Sequence, residues 1–220
     1  MILDYRLYDE QTAKSLVNLV HISDKVEAEI AYMGRVSNTA ATIDMPYSKL
    51  MAYLVGHKHW SPFEMHSMAV SITTTRDIGR QILRHRSFSF QEFSQRYSQQ
   101  TEFFLRELRA QNEHNRQASI DIFDQQAKSD WYAVQTLIIR GANEAYTALL
   151  KGGAARECAR CILPEGNTST RMYMSGTIRS WIHYIRVRQV REETQLEHAW
   201  IAEACRKLLI EHMPSLDGVI

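Results

Sequence analysis

The chain has 220 residues, with 26 lysines and arginines against 25 aspartates and glutamates, a formal charge of +1. That balance argues against DNA, an acidic polymer or an anionic membrane as a partner recognised by overall charge, and it confines any anion site to a local cluster. The length suits one domain with a real core. Three cysteines, Cys158, Cys161 and Cys205, are too few for a disulfide framework and match a reducing cytoplasm.

The amino terminus meets charge at once, and no stretch approaches the roughly eighteen apolar residues of a membrane span, so a soluble, unexported protein is expected. Asp24 to Arg35 sets Val26, Ile30, Ala31 and Met33 among charges, and Tyr47 to Val55 carries Leu50, Met51 and Leu54. Both read as amphipathic helices, the second opened by Pro46. From His66 to Thr74, Met68, Val70 and Ile72 alternate with Ser67, Ser71 and Thr73, the period of a half-buried strand.

A helix is expected from Arg76 to about His85. The polar and aromatic run from Ser87 to Ser98 reads as a loop, and residues 99–127 show only weak periodicity. Trp131 to Leu150 reads as a helix ended by Gly152-Gly153. A short helix from Ala154 to Leu163 runs into Pro164, Thr168 to Ser175 reads as a second strand, and Arg179 to Arg188 and Thr194 to Ile210 as two more helices. The fold class is α+β, helix-rich, with few strands.

Between Lys58 and Lys128 there is no lysine, yet Arg76, Arg80, Arg84, Arg86, Arg96, Arg106, Arg109 and Arg116 all lie there. A guanidinium is a rigid fork of donors that grips phosphate or carboxylate bidentately, which an ammonium cannot do. Arg76, Arg80 and Arg84 recur at helical spacing and stack like charges on one face, at roughly 0.2–0.5 kcal/mol per pair. Either an anion offsets this, or the side chains lie in water near a favourable helix carboxyl end. After Arg84-His85-Arg86 come Ser87-Phe88-Ser89-Phe90-Gln91-Glu92-Phe93-Ser94-Gln95-Arg96-Tyr97. Rings to cover a planar group, amides and hydroxyls to fix its edge, and arginines to take its phosphate suit a nucleotide or flavin.

Other candidates weigh less. His57, His59, Glu64 and His66 fit no familiar zinc spacing, so no metal is expected. Cys158 and Cys161 form a Cys-x-x-Cys inside an apparent helix and are expected as buried small apolar filler. A competing reading of the arginine segment is a single-stranded nucleic-acid-binding module, with Phe88, Phe90, Phe93 and Tyr97 as a stacking platform. The near-neutral total charge weighs against it.

Arg84-His85-Arg86, seven residues, then Ser94 is the motif of the flavin-dependent thymidylate synthases, and the chain resembles that family beyond it. His57-Lys58-His59-Trp60-Ser61-Pro62-Phe63-Glu64 is similar to the family's His-x-Ser/Thr-Pro-Phe-Glu element. Ala155-Arg156-Glu157-Cys158-Ala159-Arg160-Cys161-Ile162-Leu163-Pro164 is similar to its Ala-Arg-Glu-x-Ala-Arg-x-x-Leu-Pro helix. Arg179 to Arg188, followed by Gln195-x-Glu197, resembles its last functional segment. Gln91 stands where many members have Asn, and six residues, Gln189 to Thr194, separate Arg188 from Gln195, where other members can have fewer. The Gln-rich stretch from 99 to 127 resembles a viral and phage-like branch.

The resemblance implies a single domain over 1–220 around a small, mostly antiparallel sheet, in a homotetramer with sites between subunits. It implies FAD, reduced by NADPH, with dUMP stacked on it, 5,10-methylenetetrahydrofolate as carbon donor, and dTMP and tetrahydrofolate as products, in the cytoplasm, or a host's cytoplasm for a viral or phage gene. Ser37, Ser61, Glu64, Arg84, His85, Arg86, Ser87, Gln91, Glu92, Thr177, Arg179 and His183 fall on flavin-contacting positions of the family. Gln81, Arg84, Glu92, Phe93, Ser94, Gln95, Arg96, Arg160 and Arg188 fall on those contacting dUMP. Arg188 would be the catalytic residue, stabilising the ionised imide of uracil and so raising the nucleophilicity of its carbon five. No cysteine or serine nucleophile is then required, and Ser94 is expected to hydrogen-bond the nucleotide.

Overall fold

The computed structural model of the chain describes residues 4–99 and 102–220. In chain order the elements are β1 (Asp4–Leu7), α1 (Glu10–Ser15), β2 (Val17–His21), α2 (Val26–Gly34), α3 (Ser48–Gly56), β3 (Ser67–Thr75), α4 (Arg76–Ile82), β4 (Phe88–Glu92), β5 (Glu102–Leu105), β6 (Ala110–Gln111), β7 (Ser119–Ile120), α5 (Gln125–Lys151), α6 (Arg156–Ala159), β8 (Ser169–Thr177), α7 (Ile178–Arg188) and α8 (Leu196–His212). The expected mixture of helix and antiparallel sheet is present, with more strands than the two the sequence suggested.

The central sheet is antiparallel, in the order β2-β3-β8-β4. The β3 alternation has its physical cause here, since Met68, Val70 and Ile72 are fully buried on one face. In register, Val70 lies opposite Met174 and Ile72 opposite Met172, and both methionines are buried too. On this face α7 lays Ile178, Trp181, Ile182 and Ile185 at helical spacing, with the Trp181 Nε1–H donating to the Met68 carbonyl at 2.8 Å. The same cluster takes Ile201, Cys205 and Leu209 of α8. Burial pushes the Cys205 thiol well above its ordinary pKa, so it is packing material rather than a reactive group.

Both long strands run straight into helices. β3 passes into α4, whose Arg76 N–H donates to the Thr168 carbonyl, and β8 passes into α7, whose Ile178 N–H donates to the His66 carbonyl. Because β3 and β8 are antiparallel, α4 and α7 start at opposite ends of the sheet. β4 then brings the segment after α4 along β8.

That placement corrects the sequence reading of Ser87 to Ser98 as a loop: Phe88–Glu92 is an edge strand paired with β8, Phe88 opposite Gly176 and Glu92 opposite Met172. The helix expected to reach His85 stops at Ile82. The helix expected from Trp131 begins at Gln125, six residues earlier, because the Asp124 side chain caps the Ala127 N–H. β1, α1 and β2 were not anticipated, nor was β5, which pairs in parallel with β1.

Phe88 packs edge-on against Trp181 with centroids 4.8 Å apart, and its ring lies across the backbone of its cross-strand neighbour. A Cβ on Gly176 would stand 2.5 Å from Phe88 Cδ1 and 2.7 Å from Cε1. Gly176→Ala is therefore expected to displace the ring and lower stability by about 1–3 kcal/mol. Urea denaturation of the variant checks this, and an unchanged midpoint would refute it.

Candidate functional site

Three groups of the expected site residues can be located. One gathers where β8 meets α7. Thr177 caps α7, and its hydroxyl donates to Glu64 Oε2 at 2.8 Å. Glu64 Oε1 accepts from Arg179 Nη1 at 3.1 Å. An acidic group beside the first turn of a helix is favoured by its dipole, so the short helical turn Ser61–Glu64 is anchored to α7. Beside it a groove of about 520 Å³ is lined by Tyr32, Met33, Asn38, Ser61, Pro62 and Met65. Ser37 lies in the same loop, exposed, between two residues that line that groove. A smaller hollow holds Arg179 and His183 against Trp60.

The second group surrounds the end of α4. Gln81 donates from Nε2 to Gln195 Oε1 at 2.6 Å. Arg84, Arg86 and Ser87 are exposed, and neither guanidinium forms a side-chain hydrogen bond or ion pair among the described residues. Arg188, half-buried at the carboxyl end of α7, donates from Nε to His85 Nε2 at 2.9 Å. Burial first, then the charges of Arg188, His183 and Arg84, push His85 down to about 4. The ring is thus neutral at physiological pH.

The third group follows β4. Glu92 Oε1 accepts from the Thr170 hydroxyl at 2.8 Å and lies 3.6 Å from Arg76 Nη1. Among the described residues, neither Arg76 Nη1 nor the side-chain amide nitrogen of Gln95, both buried, has a hydrogen-bond partner. Arg96 pairs with Glu157 at 3.2 Å, which draws the segment of Phe93, Ser94 and Gln95 toward α6 and Arg160. The β4–β8 ladder joins all three groups, since Phe88 faces Gly176 beside Thr177 while Gln91 and Glu92 face Tyr173 and Met172.

Some expectations change. The stacked charges of Arg76 and Arg80 are offset within the chain, by Glu92 and by Glu165, and Arg84 lies beyond the helix end. Cys158 and Cys161 are exposed rather than buried. In so short a helical turn only Ala159 is buried, while Arg156, Glu157 and Cys158 are exposed. Phe88 is core, 9% exposed, which removes one ring from the imagined stacking platform. Among the described residues no group of three or more His, Cys, Asp or Glu side chains is placed to hold a metal, and no helix is long and apolar enough to cross a membrane.

Sequence reasoning missed the network behind this rim. Glu197, fully buried, meets Arg106 Nη2 at 2.9 Å and Arg109 Nη2 at 2.5 Å. Arg106 also donates to the Thr75 hydroxyl at 2.7 Å, and Gln135 and Trp131 of α5 bond its backbone. The network fixes the start of α8 and hence Gln195 against Gln81. No local periodicity could announce it, because its members come from four distant segments.

The antiparallel sheet packed against α7 and α8 is a fold shared with the UMP/dUMP methylase PolB from Streptomyces cacaoi, solved with 5-Br dUMP and again with 5-Br UMP. The match to the first has a TM-score of 0.78 at 25% identity, covering 92% of this chain and 94% of that one. The pattern of the Thy1 family, described as thymidylate synthase complementing protein, matches residues 9–215, and the chain belongs to this family. It is similar to the flavin-dependent thymidylate synthase of Synechocystis sp., 48% identical over 194 residues that span 88% of this chain and 89% of that protein. It is also similar to a viral protein, the "Probable flavin-dependent thymidylate synthase" of Paramecium bursaria Chlorella virus 1, at 44% identity over 86% of this chain and 88% of that one.

Proposed function

We propose that this protein is a flavin-dependent thymidylate synthase, which methylates dUMP to dTMP with 5,10-methylenetetrahydrofolate as carbon donor and releases tetrahydrofolate. The observation that carries the reading is the coincidence of family membership with a rim on which, among the described residues, Arg84 and Arg86 are unpaired and Arg76 Nη1 and Gln95 Nε2 are buried without a hydrogen-bond partner, Arg76 having only the longer contact to Glu92. A polar atom buried without a partner costs about 1–3 kcal/mol, and a phosphorylated pyrimidine would satisfy several at once. The residues along the rim would hold FAD, which, once reduced by NADPH, would supply the hydride that turns the transferred carbon into a methyl group.

The chain's own residues do the rest. Glu64, Thr177, Arg179 and His183, with Ser37 and Ser61 of the adjoining groove, would hold one end of the flavin, and Arg84, His85, Arg86, Ser87, Gln91 and Glu92 the other. Gln81, Arg84, Glu92, Phe93, Ser94, Gln95, Arg96 and Arg160 would grip dUMP, the arginines at its phosphate. Arg188 would face the uracil edge. A permanent cation there favours the ionised imide and pushes electron density toward carbon five, which is otherwise a poor nucleophile.

Homotetramer formation has support of its own. α5 buries Gln135, Ile139, Asn143 and Tyr146 on one face yet exposes Val134, Leu137, Ile138 and Leu149 on another, Leu137 by 72%. The accessible surface, 12419 Å², exceeds the roughly 10,400 Å² expected of a monomer of this size. Helix faces of this kind are ordinarily covered by another subunit.

A titration tests the assignment. Purified protein given FAD and then freed of unbound flavin by gel filtration should stay yellow, and added dUMP should perturb the flavin band. Colourless protein that takes up neither but binds oligonucleotides in a salt-sensitive way would favour a nucleic-acid module instead.

A further inference from the structure

Two fully buried side chains behind Arg188, Tyr184 and His198, have no part in the chemistry above. An imidazole nitrogen that accepts from a guanidinium must carry its lone pair, so the proton of the His85 ring resides on Nδ1. The ring stands edge-on to Tyr184, with centroids 4.9 Å apart at an interplanar angle of 86°. Behind it the Tyr184 hydroxyl meets His198 Nε2 at 3.1 Å, and the two imidazoles are 6.1 Å apart. Burial first, then the Arg188 charge and the neighbouring His85, pushes His198 down to about 3, so the imidazole behind His85 carries no positive charge to repel Arg188.

Arg188 makes no other side-chain hydrogen bond or ion pair among the described residues, so His85 is what fixes its direction. A guanidinium held at Nε keeps a planar fork of two terminal nitrogens free and pre-oriented, whereas an unheld one samples many rotamers.

We propose that His85 is a positioning residue: its Nε2 pins Arg188 Nε so that both terminal nitrogens face the uracil edge, and Tyr184 backed by His198 wedges the imidazole in that orientation. The inference rests on the proposed function and extends it, since the resemblance gives His85 a flavin contact only and gives Tyr184 and His198 nothing.

The test compares His85→Phe, His85→Gln, Tyr184→Phe, Arg188→Ala and the double variant His85→Phe/Arg188→Ala, all with saturating FAD. Three quantities are read: kcat and KM for dUMP, NADPH-driven flavin bleaching, and the apparent pKa of bound dUMP from the ultraviolet spectrum of the ionised uracil. His85→Phe is expected to lower kcat by about tenfold to a hundredfold with KM little changed, and to raise the imide pKa. His85→Gln, whose amide oxygen can accept from Arg188, recovers most of both, and bleaching survives in Tyr184→Phe. Tyr184→Phe shows the same imide shift in weaker form and keeps the test open should His85→Phe not fold. In the Arg188→Ala background, His85→Phe adds less than about a twofold further loss, since the two act through one contact.

Losses that multiply in the double variant, or an imide pKa that no His85 or Tyr184 variant moves, would overturn the inference and leave His85 a flavin contact. Wild-type protein that forms no dTMP would instead bring down the function on which the inference rests, so the two failures are distinguishable.

Discussion

Arg188→Ala is expected to cut dTMP formation by about a hundredfold to a thousandfold, the usual effect of removing one donor aimed at developing charge. NADPH-driven reduction of the flavin should continue at close to the wild-type rate. The split follows from position: Arg188 sits at the carboxyl end of α7, bonded to His85, while Arg179 and Thr177 at the other end of the same helix lock to Glu64. Single-turnover measurements of the two half-reactions check it. An equal loss in both would mean that Arg188 supports the fold rather than the uracil.

Glu197→Ala is expected to lower stability by about 3–5 kcal/mol, the usual cost of removing one partner from a buried ion-pair network. Out of a total of about 5–15 kcal/mol, such a loss leaves little folded protein on mild heating. Removal leaves Arg106 with Asp77 and Arg109 with Glu107 as their remaining acidic partners, and through Arg106 loosens Thr75 and the α5 contacts. Burial pushes the Glu197 carboxyl up, but the Arg106 and Arg109 guanidiniums outweigh this and hold it below its ordinary value of 4.5. The sign follows: the unfolded chain takes up the proton first, so the stabilisation is complete above about pH 4.5 and is lost as pH falls through the lower folded value. Urea denaturation between pH 7 and 3 should show this acid sensitivity in the wild type and less of it in Glu197→Gln, which keeps an acceptor without the charge. A Glu197→Ala midpoint within error of the wild type would refute the account of the network.

Much of the candidate site was legible because its forked cations, amides and rings lie close together in the sequence. Arg84-His85-Arg86 and the run to Arg96 lie in one stretch of chain, and the alternation of β3 and β8 places that stretch along a sheet. β4 was misread although Phe88, Phe90 and Glu92 do alternate with Ser89 and Gln91, because an inward Glu92 disguises the apolar face; its partners Thr170 and Arg76 explain it only in three dimensions. The parallel pairing of β1 with β5 was out of reach, since two strands of four residues each find their partners across most of a hundred residues. So was the contact between Arg188 and His85, which are separated by 103 positions. The cysteines misled for another reason. Their type favours burial on average, but a single turn of helix has room to bury only Ala159.

The central claim is that the rim of forked cations and amides exists to hold a flavin and dUMP face to face for methyl transfer. The most direct measurement supplies protein, FAD, NADPH, dUMP and 5,10-methylenetetrahydrofolate together and follows the products. The account predicts dTMP that depends on added FAD and NADPH, with tetrahydrofolate released. Absence of dTMP under these conditions, or dTMP formed without flavin and with dihydrofolate as the co-product, would contradict it.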